Sequence, residues 1–99
     1  MSEEKIRVVA RVAALPDKVE EVKSVLMGLI EPTRQEQGCI QYELQQNLAN
    51  PTDFVFVEEW ESEASLNTHL NTLHLKEAVD LISKLTVEPP EISRYRLLA

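Results

Sequence analysis

The sequence points to an α+β domain whose antiparallel sheet is covered by helices on one face. Four short runs alternate apolar with polar residues, and two longer stretches repeat apolar residues at three- and four-residue steps. They follow one another as strand, helix, strand, strand, helix, strand. A chain of 99 residues is one domain, 1–99, and buries only about two-thirds of its unfolded surface, so a partner subunit would help it.

The first run, IRVVARVA, sets Ile6, Val8 and Ala10 against Arg7, Val9 and Arg11. Arg11 is either a strand-edge charge or an anion clamp. Pro16 suits the first turn of a helix, with Asp17, Glu20 and Glu21 near its positive dipole end. Val19, Val22, Leu26, Leu29 and Thr33 form its inner stripe, Pro32 kinks or interrupts it, and Gly38 offers a left-handed cap. Ile40, Tyr42 and Leu44 then alternate with Gln41, Glu43 and Gln45. Residues 47–53 are rich in turn formers and short enough for an antiparallel hairpin.

The organising stretch is 54–75, FVFVEEWESEASLNTHLNTLHL. Phe54, Phe56 and Trp60 share one face of a strand and Val55 and Val57 the other, as expected of a strand covered on both sides. Ser62 can cap a helix through Asn71, and Thr72 a further helix to about Leu85 with Leu75, Ala78, Val79 and Ile82 inward. Pro89 and Pro90 end the helix, and 92–98 is the last strand. The order is the ferredoxin-like βαββαβ pattern, which leaves one sheet face uncovered.

Composition narrows the function. A net charge of −7 without a basic cluster disfavours nucleic acid, and no apolar run or leader-like N-terminus suggests a membrane or export, so a cytoplasmic protein is expected. Cys39, alone, forms no intrachain disulfide. His69 lies on the stripe with Leu66 and Leu73 and faces inward, as a hydrogen-bonded core residue or a base. His74 follows five residues later, about 140° away on a continuous helix, so no metal site is expected; a break at Thr72 would let the two rings converge. Glu58 and Glu59 point to opposite faces, so at most one is buried: either both are solvated at the sheet edge or rim, or the buried one has its pKa raised toward the range of proton transfer. Trp60 is core, interface anchor or aromatic wall, and Tyr42 and Tyr95 are core or interface residues before they are catalytic acids.

The wording GCIQYEL, then FVFVEEWES, then HLNTLHLKEA, in that order, resembles the antibiotic biosynthesis monooxygenase family, and its quinol monooxygenase branch most closely. The resemblance spans nearly the whole chain and is most specific from EEWES to HLNTLHLK. It implies a dimeric α+β barrel, in which two sheets pack face to face, and a cleft between the sheet and the helix bearing His69. It also implies a homodimer or higher oligomer that oxidises a small phenol or quinol with O2. No Gly-rich nucleotide loop or Cys/His metal set is present, so no cofactor is expected and the electrons must come from the substrate. In that reading His69 is the base with Glu58 as a second catalytic group, Trp60 and Tyr42 are walls, His74 lines the pocket, and Arg94 or Arg11 holds the anion. Two other classes compete: an isomerase of small phosphorylated or dicarbonyl sugars, which needs the same base but no oxygen, and a binding module without chemistry. A haem-degrading relative would need a histidine near Val79 and an asparagine near Ala10.

Overall fold

Alternation along the first strand sorts its side chains: Val8, Ala10 and Val12 are buried, while Arg11 on the opposite face is exposed. The computed structural model describes residues 4–99. Its elements run β1 (Ile6–Ala13), α1 (Val19–Met27), α2 (Ile30–Arg34), β2 (Cys39–Gln46), β3 (Asp53–Trp60), α3 (Glu63–Leu70), α4 (Leu73–Ile82) and β4 (Glu91–Tyr95). The strands form one antiparallel sheet in the order β2-β3-β1-β4, the ferredoxin-like arrangement.

β3 is central, and its inner face carries Phe54, Phe56, Glu58 and Trp60, all buried. The three aromatic residues meet Val22 and Leu26 of α1, Leu66 of α3, and Ala78 and Ile82 of α4 in one core. A large apolar side chain buried this completely contributes roughly 1.5–3 kcal/mol. On the outer face Val9, Val55 and Val57 are only half-buried, between the Arg7–Glu59 and Arg11–Asp53 ion pairs.

Several boundaries differ from expectation, each for a local reason. Pro16 lies in a turn closed by Lys18 N–H on the Leu15 carbonyl, and α1 starts only at Val19. Proline presets the first central position of such a turn as readily as a helix start. The helix interruption falls at 28–29, one turn before Pro32, which has no N–H to offer the Gly28 carbonyl. A β-bulge between Cys39 and Gln41 puts Cys39 opposite Trp60 and leaves Ile40 exposed, so the alternation begins at Tyr42. Thr72 stands at the N-cap of α4, as expected, but its side chain bonds none of that helix's free amides; its hydroxyl donates to the His69 carbonyl and closes α3. α4 stops at Ile82 instead of Leu85, and β4 runs only from Glu91 to Tyr95, its last pair being Tyr95 with Arg7.

Candidate functional site

The site is assembled by two helix starts and one glycine turn. Ser62 caps α3, its Oγ accepting from Ser65 N–H at 3.1 Å, and this sets the helix so that Leu66 and His69 face the sheet. Gly38 has φ of 88°, and a Cβ there would stand 2.2 Å from Ser65 Oγ, so only glycine lets the turn after α2 lie against α3. That turn carries Glu36. Its Oε2 accepts from His69 Nδ1 at 2.9 Å and from His74 Nε2 at 2.7 Å.

The two rings converge because the helix is broken between them. Asn71 closes α3 and Thr72 is extended, with φ of −70° and ψ of 150°, so α4 starts in a new direction and brings His74 round to Glu36. His69 is 2% exposed, with its ring 4.6 Å from Trp60 and edge-on to Tyr42 at 5.7 Å. Because Glu36 accepts at Nδ1, the ring carries its proton there and Nε2 is left with a lone pair. Burial is the main influence on its pKa and lowers it, against the bond to and charge of Glu36, while His74 lowers it further. The ring is therefore neutral at neutral pH.

Beside His69 lies a narrow apolar cavity of about 60 Å³ between the sheet and the helices. Tyr42, stacked on Phe56 at 4.8 Å, forms part of its wall, and Glu58 and His69 are the ionisable groups with it. Glu58 is 4% exposed and bonded by Trp60 Nε1 at 2.8 Å. Burial raises its pKa to about 7, against the Trp60 bond and with the repulsion of Glu36. Burial also raises the Tyr42 phenol far above its usual value and pushes the Cys39 thiol up to about 11, so neither ionises near neutrality.

Of the residues singled out from sequence, His69, Glu58, Tyr42 and Trp60 come together, with His74 reached through Glu36. Trp60 does not line the cavity: it is fully buried behind Glu58, which its indole anchors. Arg11 is on the outer sheet face, bonded to Asp53 at 2.8 Å, and Arg94 reaches out to Glu63 and Asn67. Neither borders the cavity, which has no Lys or Arg in its lining among the described residues. Glu36 is the member of the site that the sequence does not signal. It sits in an aperiodic turn, marked only by its place two residues before the glycine that turns the chain into β2.

The comparisons with known proteins agree with this architecture. The family model of antibiotic biosynthesis monooxygenases matches residues 5–81. An uncharacterized Synechocystis protein, sll1783, is 32% identical over 97% of this chain, which spans 65% of that relative's length. A Bacillus subtilis protein named "Putative monooxygenase YcnE" is 31% identical over 89% of this chain and 93% of its own. A conserved protein from Methanosarcina mazei superposes with a TM-score of 0.88 at 41% identity, covering 94% of this chain and 92% of that one.

Proposed function

Because the chain belongs to the antibiotic biosynthesis monooxygenase family, we propose that its cavity oxidises a small phenol or quinol with O2, without a resident cofactor. The observation that carries this reading is the buried His69 ring, held by Glu36 at Nδ1 and set in the wall of an apolar cavity. Nε2 accepts the phenolic proton, and Glu36 keeps the ring in the tautomer that can do so. The substrate anion then supplies all the electrons: a hydroquinone and O2 give a hydroxyquinone and water, one oxygen atom entering the ring and the other leaving as water. An apolar, water-poor cavity keeps that anion reactive.

Glu58 is the second proton-handling group. Protonated, it donates to an oxygen of the substrate, a role that a buried carboxylic acid can hold at neutral pH. This replaces an arginine as the partner of the developing charge, since Arg11 and Arg94 are bonded elsewhere. A phosphorylated sugar is the poorer occupant of a lining without Lys or Arg. The half-buried valines of the outer sheet face support pairing of two copies through their sheets, which sedimentation at micromolar concentration tests; a stable monomer would contradict it.

An oxygen electrode and a panel of quinols test the reaction. Uptake of O2 should require substrate and neither added metal nor nicotinamide. Conversion of a quinol or a dicarbonyl sugar that continues under argon would replace oxidation by isomerisation or another chemistry.

A further inference from the structure

The carboxylate that orients His69 belongs to a second constellation, outside the lining of the cavity. Glu36 and His74 do not line the cavity, and Glu36 Oε2, His69 Nδ1 and His74 Nε2 all lie within 4.8 Å of one another. We infer that these three atoms form a binding site for a divalent first-row transition-metal ion.

The donor set and the spacing both support the site. Two imidazoles and a carboxylate suit Zn²⁺, Co²⁺, Ni²⁺ or Cu²⁺, where Mg²⁺ and Ca²⁺ prefer oxygen alone. With metal–ligand bonds of about 2.1 Å, neighbouring ligands stand roughly 3.0 Å apart around a six-coordinate ion and roughly 3.4 Å apart around a tetrahedral one. The two nitrogens are already 2.9 and 2.7 Å from Oε2. Closing the gap between the nitrogens is the adjustment required, and His74, in the first turn of α4 with 29% of its side chain exposed, is free to make it.

A second observation comes from the other carboxylate oxygen. Glu36 Oε1 is buried with no hydrogen-bond partner among the described residues, an expensive state for a charged oxygen. Coordination of the carboxylate through both oxygens would satisfy it. The ligands come from three separate segments: the turn after α2, the end of α3 and the start of α4. An ion would tie them together, with solvent access past His74. Both histidines can bind as neutral rings, each moving its proton to the other nitrogen. In His69 that proton would occupy Nε2, so the ion would oppose the base role; this consequence rests on the proposed function, whereas binding itself is measured without turnover.

The test uses the untagged full chain, stripped with a chelator, in calorimetric titration with Zn²⁺ and visible spectroscopy with Co²⁺. The chain has two histidines, so no other imidazole competes. One ion per chain should bind, and Co²⁺ should develop ligand-field absorption. His74→Ala removes a partly exposed side chain and should fold, which circular dichroism checks. Losing a direct ligand should weaken binding by more than the roughly 10- to 100-fold contributed by outer-shell partners. Glu36→Gln should do the same. Substoichiometric uptake by the wild-type chain, or an unchanged affinity in folded His74→Ala, would overturn the inference.

Discussion

Replacing Glu58 by glutamine should make the stability difference from wild type depend on pH in one direction. The carboxyl sits on the central strand with Val8 and Tyr42 as its cross-strand neighbours, the Trp60 indole bonded to it and Glu36 repelling it. Its pKa moves from 4.5 to about 7, chiefly through burial. Between those values the folded chain holds a proton that the unfolded chain has released, so the contribution of Glu58 to stability is greatest below pH 4.5 and falls as pH rises toward 7. A gap of about 2.5 pH at roughly 1.4 kcal/mol each corresponds to about 3 kcal/mol lost by pH 8. Glutamine keeps an acceptor for Trp60 and cannot ionise. Its own burial cost is the same at every pH and cancels from the slope. Urea denaturation of both proteins from pH 4 to pH 8 should therefore show the variant gaining about 3 kcal/mol relative to wild type. A difference that stays flat across this range would refute the claim that Glu58 is held protonated by its surroundings.

Two further substitutions examine how the site is built. Gly38→Ala should destabilise the chain by more than the roughly 1–2 kcal/mol of a left-handed backbone, because the added Cβ also meets Ser65, and thermal melting would reveal it. Ser62→Ala should cost about 1 kcal/mol through loss of the α3 cap, measurable by denaturation; an unchanged midpoint would mean that the cap contributes nothing.

The fold was legible because its signals are periodic and local. Val8, Ala10 and Val12 alternate with Arg7, Val9 and Arg11, and Ser62 stands where a cap must. The inward position of His69 follows from Leu66, three residues before it. Features that depend on a choice between two allowed local states were harder to read. Pro16 suits a turn and a helix start equally, and the bulge that exposes Ile40 leaves no mark in the apolar pattern. The site was legible on its regular elements and hidden in its turns: β3 displays Glu58 and Trp60 on one face, whereas Glu36 has neighbours only in three dimensions. Arg11 and Arg94 illustrate the reverse difficulty. A sequence shows that a cation is present, but only the fold shows that Asp53 and Glu63 already engage these two.

Under the proposed function His69, held by Glu36, takes a proton from a substrate seated in the apolar cavity. Steady-state oxygen uptake with a turned-over quinol, for wild type and for His69→Ala shown to be folded, addresses it directly. Loss of the base should lower kcat/KM by roughly 10²- to 10⁴-fold. A folded His69→Ala protein that consumes O2 at the wild-type rate would contradict the account.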